Sequence, residues 1–247
     1  MIILLTGCIA PNGMLLTTLN DKDERKEQYI RSIHYYLSET KYPIVFVENS
    51  STDISPIFQE HIDSGRLEII TFDGNKDKKR GKGYGECEII EYALNNSQTI
   101  KSNQNDKIAK ITGRLIVRNI NIIAKLHCYF FSQRTTLFSI NSDLSFPDSR
   151  IIIAPTEFYK QLINKKEQLN DSNGYYFEHA LLDTIKDSKC ISYSPFYIQP
   201  QIEGISGSTG KVYTSESNTF SFAIRYARYA FYLKREFKNK ILLMSKQ

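Results

Sequence analysis

The chain has no tryptophan, no pair of cysteines spaced to share a metal, and no apolar run long enough to span a bilayer. Each absence removes a class of protein. Cys8, Cys87, Cys128 and Cys190 stand far apart with no CxxC pair, which excludes a zinc ribbon and a compact disulfide framework and leaves reduced cytosolic thiols as the expectation. No stretch approaches the ~20 uninterrupted apolar residues of a transmembrane helix. The opening MIILLTGCIAPNG is apolar but lacks the basic start and the length of a signal peptide, so it reads as a buried first strand. His34, His61 and His127 have no metal-ligand spacing with cysteine. Internal repeats and low-complexity tracts are also missing.

What is present fits one α/β domain: 247 residues, 41% apolar and 24% charged, is enough for a single core and too ordinary for disorder or a coiled coil. In place of tryptophan stand 16 Tyr and 14 Phe, which suit surfaces that must be apolar and hydrogen-bonding at once, such as those facing sugars and nucleobases. An AT-rich codon bias produces the same surplus. The net charge of +5 is concentrated, with Lys76, Lys78, Lys79, Arg80 and Lys82 in one stretch and a second basic cluster at the C-terminus. Anionic partners follow: a nucleotide diphosphate or an anionic lipid. No nucleic-acid-binding module accompanies the charge, so nucleic acid is not expected as a partner.

Periodicity organises the first third of the chain. Ile2 to Leu5, Ile44 to Val47 and Leu67 to Phe72 are short apolar runs of the kind buried in parallel sheets. Between them, Asp23 to Ser38 and Ile54 to Ile62 have helical spacing. This alternation predicts a parallel sheet with right-handed crossovers. Asn75 to Gly85 reads as a basic, glycine-punctuated loop leading into a helix at Glu86 to Asn95. Beyond it, strands are predicted at Ile108 to Ile111, Leu115 to Val117, Leu137 to Ile140 and Ile151 to Ala154, and helices through Ala124, at Phe158 to Gln168 and at Phe177 to Lys186. Gly204, Gly207 and Gly210 mark a flexible loop.

Asp23-x-Arg25 with Tyr29-x-x-Ser32-Ile33, Glu48-Asn49, Gly81-Lys82-Gly83-Tyr84-Gly85-Glu86 and Lys110-Ile111-Thr112-Gly113-Arg114 together resemble bacterial capsule and O-antigen glycosyltransferases with a GT-A-like fold. The resemblance covers roughly residues 1 to 210. It implies a Rossmann-type, mostly parallel sheet flanked by helices, with a nucleotide-sugar donor, UDP-linked by default, lying over the carboxyl ends of the first strands. It also implies a growing surface polysaccharide or a polyprenyl-linked oligosaccharide as acceptor. One departure stands out: where such enzymes carry an Asp-x-Asp for a divalent ion, this chain has Thr112-Gly113-Arg114. An arginine there can neutralise a diphosphate by fork-like hydrogen bonds, so metal independence is expected. The alternative is a Mg or Mn ion held by Asp143.

Three roles are then assigned. Thr6, Gly7, Glu48 and Asn49 are expected around the base and ribose at the strand ends. Lys82, Gly83, Gly85 and Lys110 are expected around the phosphates, with Arg114 stabilising the departing diphosphate and Arg25, Thr112 and Gly113 also in the donor site. Glu178, opening a helix after Tyr175-Tyr176-Phe177, is the expected base for the acceptor hydroxyl, with His179 beside it and Gly204 and Gly207 in a loop that closes on the ligands. Asp148-Ser149-Arg150 is assigned to the rim. A nucleotidyltransferase would use the same kind of sheet but normally needs acidic Mg²⁺ ligands near the phosphates, and a basic nucleic-acid-binding module is the remaining alternative.

The domain boundary is expected near Ser217, giving a catalytic unit over residues 1–217 and a basic helical segment over 218–247. There Ile224, Ala227 and Phe231 form an apolar stripe flanked by Arg225, Arg228, Lys234, Arg235 and Lys238. Such a helix suits reversible attachment to the inner face of the cytoplasmic membrane, or packing on the core or on a second copy.

Overall fold

A computed structural model describes residues 1–11, 19–141, 145–207 and 209–214. The expected boundary near Ser217, the basic helix beyond it and Asp143 lie outside the described residues.

A seven-stranded sheet forms the centre. Strands β1 (Ile2–Gly7), β2 (Ile44–Glu48), β3 (Leu67–Thr71) and β4 (Lys107–Thr112) run parallel in the order β3-β2-β1-β4. Next to β4 lies β7 (Pro147–Pro155), antiparallel, followed by β6 (Thr135–Ile140) and β8 (Ser192–Ser194), which restore the first direction. The mostly parallel, Rossmann-like α/β architecture is therefore as expected.

The strands that read as continuous apolar runs are those with cover on both faces. In β1, Ile2 and Leu4 point into one core with Ile90 and Ala93, Phe158 and Leu162, and Leu181 and Ile185. These belong to helices α3 (Lys82–Asn96), α6 (Thr156–Ile163) and α7 (Phe177–Asp187). Ile3 and Leu5 point the other way, into a core built with Tyr29, Ile33 and Tyr36 of α1 (Lys22–Glu39) and Ile120 and Ile123 of α5 (Ile120–Phe130). The period-two alternation of side chains thus feeds two cores from one strand. Two short helices, α2 (Gln59–Asp63) and α4 (Gln98–Ser102), complete the connections. No helix among the described residues is long and apolar enough to cross a membrane.

Several boundaries differ from expectation, β7 for one beginning at Pro147 rather than Ile151. Helix α3 begins at Lys82, four residues earlier than its periodicity suggested, so Gly83 and Gly85 lie in its first turns. The helix expected over Phe158 to Gln168 ends at Ile163 and continues only as a separate 3-10 turn, Lys166–Gln168. Of the glycine-marked segment, Gly204 lies in β9 (Ile202–Ile205), which pairs with β10 (Val212–Tyr213) and with β5 (Ile116–Val117) in a second, three-stranded sheet, while Gly207 and Gly210 lie in the connection between β9 and β10.

Candidate active site

The parallel strands end at one edge, and because β7 runs antiparallel its beginning reaches the same edge, with Ile151 beside Ile111. A cavity of about 870 Å³ opens there, walled by the ends of β1 and β4, the starts of α3, β7 and α7, and the β9–β10 hairpin. Ligands of open α/β sheets bind at this edge.

Most of the residues singled out in the sequence meet in this one cavity. Thr6, Gly7 and Asn49 line it from β1 and the exit of β2, Thr112 and Arg114 from the exit of β4, and Arg25 from α1. Lys82, Gly83 and Gly85 of α3, Lys110 of β4, Gly207 of the hairpin and Glu178 of α7 complete the set. Asn49 is fully buried, and neither its amide nitrogen nor its amide oxygen has a partner.

The cavity also gathers positive charge. The Arg25 guanidinium donates to the carbonyls of Cys8 (2.9 Å from Nε) and Leu19 (3.1 Å), and Arg114 donates from Nη1 to Gln28 Oε1 (3.1 Å) and to the carbonyl of Ile205 (2.9 Å). Among the described residues neither arginine forms an ion pair with a carboxylate. Arg114 Nε is buried without a partner. Burial first, and then the charges of Arg114 and Arg25, push the Lys82 ammonium down to about 8. The three cations are thus close enough for the charges of Arg114 and Arg25 to act on Lys82, with Asp171 opposing them.

Lys110 departs from its expected role. It is fully buried, ion-paired with Glu86, and donates to the Ser149 carbonyl at 2.9 Å. Glu86 also accepts from Thr6 Oγ1 at 2.7 Å. Lys110 is a strut joining β4, α3 and β7, and its charge is spent on Glu86 rather than offered to a phosphate.

Four other assignments fall outside the cavity wall. Glu48 is fully buried and accepts from the backbone N–H groups of Ile9 (2.8 Å), Ser50 (2.9 Å) and Thr52 (2.9 Å). Its acceptor capacity is consumed in shaping the loops after β1 and β2, not in holding a ribose. Gly113 continues the pairing of β4 with β1: its N–H donates to the Thr6 carbonyl at 2.9 Å, and a Cβ there would lie 2.7 Å from that oxygen. His179 caps α7, with Nδ1 accepting from the Tyr176 N–H at 3.1 Å. Gly204 sits in β9, packed against Leu115.

Asp171 was not expected at all. Its Oδ2 accepts from the N–H groups of Lys82 (2.7 Å) and Gly83 (3.4 Å), closing the N-terminus of α3 that the sequence had assigned to phosphate. Gly81, the residue before the helix, has φ 88° and no side chain to cap with. The capping carboxylate comes instead from a turn 89 residues further on. Burial pushes the Asp171 carboxyl above the usual range, with the N–H groups of Gly83 and Lys82 opposing. No local pattern in Asn-Asp-Ser-Asn-Gly announces this role.

Glu178 lies in the first turn of α7 and accepts from Ser149 Oγ at 2.6 Å, which fixes its carboxylate at the cavity wall. Cys8 also lines the cavity, but burial pushes its thiol up to about 12, so it is no nucleophile. The exit of β4 does not suit a divalent ion, because a cationic arginine stands where acidic ligands would be needed. Among the described residues no group of three or more His, Cys, Asp or Glu comes together to hold a metal.

No protein-family model and no curated protein sequence matches this chain. Solved structures of similar architecture include the inositol-1-phosphate CTP transferase from T. maritima, with 11% identity, coverage of 91% of this chain and 94% of that one, and a TM-score of 0.46. The S. aureus TarS fragment 1-349 in complex with UDP is similar over 78% of this chain, with 12% identity and a TM-score of 0.42, and the chain spans only 57% of that fragment. Core-mannan synthase A from Aspergillus fumigatus, in an Mn/GDP form, is similar at 9% identity over 91% of this chain and 82% of that one, with a TM-score of 0.41. These likenesses are too distant to carry a substrate or a reaction across.

Proposed function

We propose that the protein is a nucleotide-sugar-dependent glycosyltransferase that extends a bacterial surface polysaccharide or a lipid-linked oligosaccharide without a carboxylate-bound metal. The observation that carries this reading is the meeting, in one cavity at the strand ends, of the Arg25, Lys82 and Arg114 cations with a positioned carboxylate, Glu178. The cations take the diphosphate. The acceptor hydroxyl attacks the anomeric carbon as the bond to the diphosphate breaks. Glu178 receives the hydroxyl proton, and the departing diphosphate keeps the bonding electron pair against Arg114, Lys82 and Arg25. Ser149 holds Glu178 in place throughout. A single displacement of this kind inverts the anomeric configuration.

The test is a panel of UDP-, GDP-, CDP- and dTDP-sugars screened for a rise in melting temperature with and without EDTA, since ligand binding stabilises by mass action. At least one donor should stabilise the protein equally under both conditions. Glu178→Gln should keep that donor binding and lose about 10²- to 10⁴-fold in transfer, because the amide preserves shape but takes no proton. A protein stabilised by none of the donors, or a product with retained configuration by NMR, counts against the reading. Nucleotidyl transfer would show instead as pyrophosphate release from a nucleoside triphosphate.

A further inference from the structure

Six large hydrophobic side chains are exposed among the described residues: Ile57, Ile122, Tyr129, Phe130, Phe146 and Val212. Of these, only Phe146 lines the cavity. Its ring is 43% exposed, so the core does not account for it. Its backbone is nonetheless fixed, as the base of the turn between β6 and β7: the Phe146 N–H donates to Asn141 Oδ1 at 2.9 Å, and the Asn141 N–H donates to the Phe146 carbonyl at 3.2 Å. The ring meets Tyr176 edge-on, with centroids 6.3 Å apart, and Tyr176 stacks on His179 at 5.5 Å. The His179 cap on α7 holds Tyr176 in turn.

Three contacts therefore join the start of β7 to the start of α7: the Phe146–Tyr176 ring pair, the edge-on Phe146–His179 pair at 5.7 Å, and the Ser149–Glu178 hydrogen bond. The aromatic pair and the proposed base share one wall, while Arg25, Lys82 and Arg114 come from other elements. A pyranose ring suits this wall because one of its faces presents C–H groups, which pack on the electron-rich face of an aromatic ring while hydroxyls remain free at the ring edge.

We propose that Phe146 and Tyr176 form the platform on which a pyranose ring of the acceptor glycan stacks, directing one of its hydroxyls to Glu178. The acceptor role rests on the glycosyltransferase reading above; the sugar-binding platform does not. Saturation-transfer NMR on the full chain, with methyl glycosides of glucose, galactose and mannose, reads the contact without turnover. UDP, GDP or dTDP is included, whichever raises the melting temperature.

Ring C–H protons on one face of at least one glycoside should take up saturation. The signal should fall about fivefold or more in Phe146→Ala, whose fold is checked by thermal unfolding, and return in Phe146→Tyr. Undiminished signal in Phe146→Ala, or no glycoside signal from a protein that a nucleoside diphosphate stabilises, overturns the platform and leaves the glycosyltransferase reading standing. Glycoside signal abolished by the nucleotide overturns the acceptor assignment, because the ring would then occupy the donor's space. Contact through Phe146 in a protein that binds no nucleotide keeps the platform and removes the transfer reading.

Discussion

Arg114 carries the sharpest expectation at the level of single residues. Its guanidinium touches Gln28, the Ile205 carbonyl and the cavity, and lies outside both hydrophobic cores. Arg114→Ala should therefore stay folded by circular dichroism yet lose about 10²- to 10³-fold in kcat/KM, the usual scale for removing a donor aimed at developing charge. Near-normal turnover in a folded variant would take Arg114 out of the mechanism. Lys82 sets a pH limb. Its ammonium, held down to about 8 by burial and by its cationic neighbours, is protonated below that value and neutral above it. Affinity for a nucleoside diphosphate, followed by titration calorimetry, should thus be greatest below pH 8 and fall as pH rises through it. Lys82→Arg keeps its charge over the whole range and should abolish that limb.

The elements show what a sequence can and cannot announce. Strands β1 and β2 were legible because burial on both faces demands uninterrupted apolar residues, and α1 and α7 because their apolar faces repeat at helical spacing. The start of α3 was not, because the cap that makes Lys82 its first residue is Asp171, supplied from a distant turn. The β9–β10 hairpin was missed because its glycines signal turns, whereas its pairing with β5 is non-local. The same distinction governs the site. Arg114, Asn49 and Glu178 sit where strand ends and helix starts put them, while Phe146 and Asp171 become meaningful only through partners remote in sequence. Gly81→Ala tests the borrowed cap: at φ 88° a side chain is strained, and its Cβ would collide with the Asp171 carboxylate. The variant should lose about 1–3 kcal/mol of stability in urea unfolding, and an unchanged midpoint would mean that α3 starts without Asp171.

For the whole molecule, the acid limb of stability should originate at the opposite end of β4 from the cavity. There the buried Lys107 ammonium donates to His127 Nε2 (2.7 Å) and to the carbonyls of Ser132 (2.7 Å) and Thr135 (2.8 Å). Burial, and then the Lys107 charge, push His127 down from 6.5 to about 4. Between those two values the unfolded chain binds the proton and the folded chain does not, so stability falls as pH drops from about 6.5 toward 4. His127→Gln retains an acceptor for Lys107 without titrating, and its urea midpoint should vary less over that window. An identical slope in both proteins would mean that His127 is charged in the folded state.

The reversed direction of β7 has a consequence for how such a molecule can diversify. Arg25, Asn49, Lys82 and Arg114 all precede residue 115, whereas Phe146, Ser149, Tyr176 and Glu178 all follow residue 140. The strand that runs backwards brings the second group to the first group's edge without interleaving the two along the chain. Exchange confined to the residues around Phe146 and Tyr176 would then alter one wall of the cavity, while Asp171 and the Ile205 carbonyl, also from the second segment, go on holding the start of α3 and Arg114 at the other.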